Sequence, residues 1–407
     1  MARYSYMVLV VAAIPFLFVL LSNSSIYRCS ETTVIREIVS NSEIQGSGQY
    51  LQKVFDALDY QMKDGSGYKD YLNPDGFPTG ALLAWSESYL MQAYAEMFRA
   101  TGEERYLHKL WDHIDAVLHN RDDFRGQIDY KGDLVPAWGT DRYTKDRAWM
   151  HFAVHTAMIT YPMLDFVQLV RGHEIEELEG EAEVALLHVR ESIDYHNKDW
   201  VIQSDFGLYT YPEDYYRKPN YLLPLSMQAT IGRSLLLLWK LTGEIKYYEM
   251  ARDIAFAIKN SLQETESGGY VWGVSIGPLS EQNRIADISH STITVDFIRL
   301  AYENSIVFDS NDMAKVTVTI KLLLSDGRVE RYIDVTGDYA YEVVAGQYAL
   351  LTPWDIEIWN LCYDILFKLY QVDLTGRYFQ EDWWGTIMLG IARLAHYTSE
   401  SIGEETQ

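Results

Sequence analysis

The strongest constraint on how this chain can fold is a segment that it uses twice. "MFRATGEERYLHKLWDHIDAVL", from Met97, aligns with "LWKLTGEIKYYEMARDIAFAI", from Leu238, at a constant offset of 141 residues. The two copies share Thr-Gly-Glu at 101–103 and 242–244, then Tyr106 with Tyr247, Asp112 with Asp253 and Ala116 with Ala257. Apolar residues recur at helical spacing on both sides of each glycine. Gly102 and Gly243 are therefore placed to end one helix in a left-handed cap, and the glutamate that follows suits the start of the next. The unit is an antiparallel helical hairpin. Weaker echoes begin at Leu300 and Leu369, and helical patterns over Arg147–Arg171, Glu176–Tyr195 and Trp354–Tyr370 bring the expected total to eleven or twelve helices. Hairpins repeated over this length either stack into an open solenoid or close on themselves. Here they are irregular, and the loops richest in polar aromatic residues recur just before the first helix of a pair. That favours an all-α closed ring, an (α/α) toroid of six or seven hairpins over residues 48–400, in which those loops converge on one funnel. The segment Gly327–Gly346 alternates like strand and is expected to form a β-hairpin or flap over one face.

The ring is preceded by "MARYSYMVLVVAAIPFLFVLLSNSS", whose apolar run from Met7 to Leu21 reads as an export signal over residues 1–30, with 31–47 as a linker. The run is shorter than the roughly 18–20 residues that span a bilayer comfortably, and no clean small-x-small cleavage site follows it, so a cleaved signal peptide and a retained anchor both stay open. Either places the rest outside the cytoplasm, secreted or tethered, with Asn23 in a glycosylation sequon. Residues 401–407 read as an acidic tail. Acidic residues number 58 against 34 basic ones, a formal charge of −24, which excludes nucleic acid and anionic lipid as general partners. The membrane enters only through the N-terminal segment. With only two cysteines, Cys29 and Cys362, the chain has no cysteine cluster, and a disulfide between them or two free thiols both remain open. No glycine-rich phosphate loop and no Gly-x-Ser-x-Gly elbow occurs, so no cofactor is expected.

Four stretches place polar and aromatic groups where a ring would gather them. "FPTGALLAWSESYLMQAY" carries Trp85, Glu87 and Tyr89; "VPAWGTDRYTKDRAWMHFAVHTAMITYP" carries Trp138, Arg142, Tyr143, His151 and His155. "YRKPNYLLPLSMQATIGRSLLLLW" carries Arg217, Lys218, Asn220, Tyr221 and Gln228, and "NRIADISHSTITVDF" packs Arg284, Asp287 and His290 against the start of a helix. With 31 Tyr and 11 Trp the chain has the aromatic faces on which sugars stack, although most belong to the core. Asp287 or Ser289 can be an ordinary helix cap beside an idle histidine. Alternatively, Asp287 both caps the helix and orients His290 as a general base, and convergence of the loops on one funnel favours this second reading. His151 and His155 are four apart, a helical spacing that can bind metal, but no third ligand is evident and no metal is expected.

The succession "PAWGT…HFAVHTAMITYP", "PNYLLPLSMQATIGRSLLLLWKLTGEIKYYEMA", "GGYVWGVS" and "ADISHSTITVDF" resembles the secreted α/α-toroid proteins related to polysaccharide lyase family 38 and, more distantly, other toroidal uronate lyases and glucuronyl C5-epimerases. The likeness covers about residues 75–400; where such relatives often carry an acid before the Asp, this chain has Ala286. The resemblance implies β-elimination on a uronic-acid glycan. Arg284, with Asn220, would neutralise the C5 carboxylate, His290 or His155 would take the C5 proton, and Tyr143 would protonate the departing O4 or serve as both base and acid. Asn220, Tyr221, Trp138, Arg142, Trp85, Glu87, Gln228 and Trp272 would line the poly- or oligosaccharide site. Two other classes stay open: a glycoside hydrolase using Asp287 with Glu87 or Asp141, and a non-catalytic glycan-binding envelope protein.

Overall fold

Both repeated glycines end their helices as expected: Gly102 and Gly243 sit at φ 66° and 70°, and their N–H groups donate back to the carbonyls of Phe98 and Trp239 at 2.8 Å. The computed structural model describes residues 47–62, 79–203, 206–215, 220–338, 341–372 and 383–398, all within one compact unit, Gly46–Gln407. The export-signal run, Asn23, Cys29, Arg217, Lys218, the middle of the Leu369 echo (373–382) and the acidic tail lie outside the described residues.

The helices are α1 (Gly48–Gln61), α2 (Ser88–Thr101), α3 (Arg105–His119), α4 (Ala153–Gly172), α5 (Glu179–Tyr195), α6 (Leu225–Thr242), α7 (Ile245–Lys259), α8 (Ile288–Glu303), α9 (Ser310–Leu324), α10 (Ile356–Val372) and α11 (Trp384–His396). A π-helical turn, Leu83–Glu87, leads into α2, and a 3₁₀ helix spans Glu342–Leu351. Packing partners close a cycle: α2 touches α4, α4 touches α6, α6 touches α8, α8 touches the 3₁₀ helix, and the 3₁₀ helix touches α11, which returns to α2. Each of these six inner segments is backed by one outer helix, respectively α3, α5, α7, α9, α10 and, behind α11, α1. This is an (α/α) toroid. The first described helix completes the last hairpin.

Sequence pattern explains the two layers. The outer helix α3 buries Tyr106, Leu107, Leu110, Ile114, Val117 and Leu118, a single apolar stripe at spacings of three and four. By contrast α4 is buried along almost its whole length, as a helix covered on all sides must be. Inner segments also approach closely: a Cβ on Gly346 would lie 2.7 Å from the Gly390 backbone, so glycine is what lets the 3₁₀ helix lie against α11.

A buried ion network crosses the ring. Asp296 of α8 accepts hydrogen bonds from Arg233 of α6 (2.8 Å), Arg393 of α11 (3.0 Å) and Arg299 (2.9 Å). Arg99 of α2 donates to Asp165 of α4 at 3.0 Å, and His396 meets Glu96 at 2.7 Å. Burial alone would raise the Asp296 pKa, but the guanidiniums of Arg393, Arg299 and Arg233 hold it far below the usual carboxylate range.

Two expectations change, and one echo shows how it turns. The Gly327–Gly346 segment, expected as a hairpin or flap, has no regular strand among its described residues: isolated bridges Asp287↔Tyr332 and Tyr332↔Thr336 fold its first half back on itself and against the start of α8, and helix begins at Glu342. Regular two-stranded pairs form instead at Trp200–Gln203 with Phe206–Tyr209 and at Gln263–Glu264 with Tyr270–Val271. Helix α4 begins at Ala153 rather than Arg147, because Thr140 and Met150 pair as extended chain, so His151 and His155 do not share a helical face. The Leu300 echo turns without glycine, using positive φ at Ser305 and Val307. No helix among the described residues is long and apolar enough to cross a membrane.

Candidate functional site

Asp287 is extended, with φ −82° and ψ 160°, and its Oδ1 accepts from the N–H groups of Ser289 (3.0 Å) and His290 (3.1 Å) and from Ser289 Oγ (2.6 Å). That is an N-cap, and it satisfies donors that the helix leaves free. Its second oxygen, Oδ2, lies 2.6 Å from His290 Nδ1. One carboxylate thus caps α8 and orients an imidazole. With Nδ1–H directed at Asp287, the neutral ring carries its lone pair on Nε2. Burial works to raise the Asp287 pKa, but the bonds from His290 and Ser289 outweigh it and hold it at about 2. His290 moves the other way: the hydrogen bond to Asp287 lifts it above its ordinary value, against a smaller effect of burial. The His290 side chain stays 53 % exposed.

Two compartments meet at this imidazole. One, of about 340 Å³, is walled by Trp85, Tyr89, Arg142, Tyr143, His290, Tyr341, Gln347 and Trp383. The other, of about 380 Å³, is walled by Trp85, Tyr143, Phe152, His155, Tyr211, Tyr215, Met227 and His290. Trp85, Tyr143 and His290 belong to both, so the compartments form one funnel with a waist. Its walls come from the N-terminal parts of inner segments. The Thr-Gly-Glu turns sit at the C-terminal ends of α2 and α6, on the opposite rim.

His155, in the first turn of α4, is 3 % exposed and sits edge-on to Trp85 and Phe152, with the Tyr143 ring 5.7 Å away. Its Nδ1 has no hydrogen-bond partner among the described residues. Burial, aided by His196 and Arg142, pushes its pKa down to about 3, so the ring is neutral at any ordinary pH. The guanidinium of Arg142 lies 5.7 Å from the Tyr143 ring centroid. Among the described residues, neither compartment has an Asp or Glu in its wall.

Several residues expected at the site are elsewhere. Glu87 is fully buried with His113 at 2.5 Å, because the π turn sends Trp85 to the funnel and Glu87, two residues on, between helices. Trp138 is buried and donates to the Val117 carbonyl at 2.8 Å. Gln228 is buried too, bonding both backbone groups of Tyr209. These three hold the frame. Arg284 opens onto a neighbouring cleft rather than the funnel, and Trp272 is buried beside a small 90 Å³ pocket shared with Asp287 and His290. Asn220, at φ 59°, and Tyr221 are exposed on the loop before α6 and line neither compartment. Asp141 is occupied by Arg147 at 2.6 Å, and His151 by Asp122 at 2.7 Å. Among the described residues, the group that gathers three potential metal ligands is Glu104, His108 and Glu177, exposed and far along the chain from the funnel walls.

Wall residues that sequence reasoning passed over are Tyr341, Gln347, Trp383, Tyr211 and Tyr215. The pair Trp383-Trp384 at the start of a helix was the available signal; nothing local marks Gln347.

No protein-family model and no curated protein sequence matches the chain. Solved structures do. Cellobiose 2-epimerase from Spirochaeta thermophila superposes with a TM-score of 0.56 at 11% identity, over 88% of this chain and 99% of that one. D-mannose isomerase gives 0.55 at 12% identity, over 87% and 99%. An inactive variant of the α-1,6-mannanase of Salegentibacter sp., in complex with α-1,6-mannotriose, gives 0.53 at 13% identity, over 86% and 98%. At such identities the likeness establishes the toroid fold. None of these three is a polysaccharide lyase.

Proposed function

We propose that this chain is a carbohydrate-active enzyme that moves a proton at a sugar carbon, and that its reaction is β-elimination on a uronic-acid-containing glycan. The observation that carries this is the funnel wall, in which two imidazoles, His290 and His155, and the Tyr143 phenol stand together with no carboxylate among the described wall residues. Hydrolysis by two carboxylates needs a pair of acids flanking the glycosidic bond. Asp287, the acid bonded to His290, has its oxygens engaged by the α8 cap and by that imidazole.

In this reading His290 Nε2 takes the C5 proton, made more basic by the Asp287 carboxylate behind it. Charge that develops on the sugar carboxylate is met by Arg142, the cation of the funnel wall, in the role first expected of Arg284. Tyr143 donates its proton to O4 as the C4–O4 bond breaks, leaving a C4–C5 double bond. Neutral His155 accepts a hydrogen bond from a sugar hydroxyl at the waist. Trp85, Tyr341 and Trp383 offer ring faces for stacking. The apolar run at the N-terminus supports action outside the cytoplasm.

A second reading, 2-epimerisation or aldose–ketose isomerisation, is favoured by one observation: His290 and His155 line the same compartment, so that one can remove a proton and the other return it. The fold likeness to an epimerase and an isomerase also supports it. One experiment separates the two. The full chain is incubated with uronic-acid polymers while ultraviolet absorbance of an unsaturated product is followed, and in parallel with cellobiose and mannose in heavy water, followed by NMR. Rising absorbance supports elimination; deuterium entering C2 without it supports epimerisation or isomerisation. Binding of glycans with neither signal would sink both and leave a non-catalytic protein.

A further inference from the structure

Beside the funnel lies a second depression, of about 760 Å³, within the roughly 300–1,000 Å³ range of ligand sites. Tyr341 belongs to both it and the outer compartment, and Asp287, the partner of His290, is in its wall. Its floor is two paired backbone segments. Gly273 bridges Ile285, so the Arg284 carbonyl accepts from Val274 N–H at 2.8 Å; Asp287 bridges Tyr332, so the Arg331 carbonyl accepts from Ile288 N–H at 2.9 Å. These pairings fix Arg284 on the segment that carries the Asp287–His290 pair and Arg331 on the segment paired with it.

Both arginines line the cleft, and neither has a carboxylate partner among the described residues. The Arg331 Nε is buried with no hydrogen-bond partner. On a chain of formal charge −24, an exposed Arg284 and a half-buried Arg331 without ion pairs among the described residues share one cleft, whose wall carboxylate Asp287 is already engaged by His290 and the α8 cap. Glu281 also belongs to the wall and is exposed. A guanidinium binds a planar carboxylate or a sulfate through paired N–H groups, and Tyr332 and Tyr341 in the same wall supply aromatic surface of the kind that sugars pack against. The cleft is too wide for one small anion alone and continuous with the place where the reacting sugar would sit.

From this we infer that the Arg284–Arg331 cleft is a second saccharide subsite, which reads an anionic substituent, carboxylate or sulfate ester, on a sugar unit next to the one that reacts. The inference rests on the reading of the funnel as a carbohydrate site and narrows its substrate class to acidic oligosaccharides longer than one unit.

The test is a binding measurement, so that it does not depend on which reaction occurs. Full-length protein carrying His290→Ala is titrated calorimetrically at low salt with a 1,4-linked uronic-acid tetrasaccharide, a sulfated galactan tetrasaccharide and cellotetraose. At least one acidic ligand should bind more tightly than the neutral one. Adding Arg284→Gln and Arg331→Gln together should weaken that ligand about tenfold or more and flatten its salt dependence, with cellotetraose unchanged. Arg331→Lys should retain part of the affinity, and unchanged melting curves show that the variants are folded. Whichever acidic ligand loses affinity identifies the group that is read. Equal binding of acidic and neutral ligands, or an acidic ligand indifferent to both substitutions, overturns the subsite. If the arginine-dependent binding is present but the wild type converts no sugar, the subsite stands and the enzymatic reading falls.

Discussion

Helix α8 carries two aspartates less than three turns apart that do opposite jobs. Asp296 lies deep in the ring, 1 % exposed, bound by three arginines from three helices. Asp287 lies at the funnel, 23 % exposed, bound by one imidazole and its own helix end. Both pKa values are depressed, yet the depression has different consequences. At Asp296 all partners are permanent cations and the carboxylate is buried, so the charges fasten α6, α8 and α11 and have no titratable partner with which to exchange a proton. At Asp287 the partner is a titratable ring that remains half exposed, so the interaction adjusts a proton affinity at a surface that a ligand can reach. A perturbed carboxylate is therefore a site only where its partner can give up or accept a proton toward a cavity.

The difference can be broken most decisively at His290. His290→Ala should lower turnover on a confirmed substrate by about 10²- to 10⁴-fold while the melting curve, taken at a pH where the imidazole is neutral, stays in place; a large fall in melting temperature there with activity per folded molecule preserved would make the imidazole structural. Asp296→Ala should do the reverse. Leaving three buried arginines short of their carboxylate should cost about 3–5 kcal/mol in denaturant unfolding, and a variant as stable as the wild type would remove the network from the account of ring closure.

The pH response sharpens the comparison. With His290 raised above 6.5, its neutral form is lost as pH falls through that raised value, so the acid limb of kcat/KM should lie above 6.5. His155, near 3, stays neutral across that range and contributes nothing to the limb. Asp287→Asn should move the limb down toward 6.5 with most of the stability kept, since asparagine also caps. The same pair acts on folding. Asp287, lowered from 3.8 to about 2, contributes stability above 3.8 that is lost as pH falls toward 2. His290 contributes stability below 6.5 that is lost as pH rises through its raised value, so the pair acts in full between 3.8 and 6.5. A limb that does not shift in the variant would separate Asp287 from the base.

The smallest effect is expected at the opposite rim. A Cβ on Gly243 would meet nothing within 4 Å, so Gly243→Val should cost only the left-handed backbone, on the order of 1 kcal/mol, with activity unaltered. A loss of turnover there would tie the rim to the funnel.

Much of the frame was legible from the chain. The Thr-Gly-Glu repeat marks two hairpins because only glycine takes φ near 70° at no cost, and the Asp-Ile-Ser-His run marks a helix start because its side chains match the orphan N–H groups there. Both are local physics, decided within a few residues. The funnel was only partly legible. Trp85 and Glu87 stand two apart in one polar-aromatic run, yet one faces the cavity and the other His113. Arg284 and His290 stand six apart and open onto different depressions.

What the sequence determined, then, is the hairpin unit, its caps and the Asp287–His290 pair, since each depends on neighbours along one turn of chain. What only the tertiary structure decided is which polar side chains face a cavity and which are spent between helices. The inner helices α4 and α6 are apolar on nearly every side, so no stripe in their sequence says which edge meets the ring axis. That choice is made when α11 closes against α2 and α1, because burial of a polar group is tolerable only where a partner from a distant segment arrives to bond it.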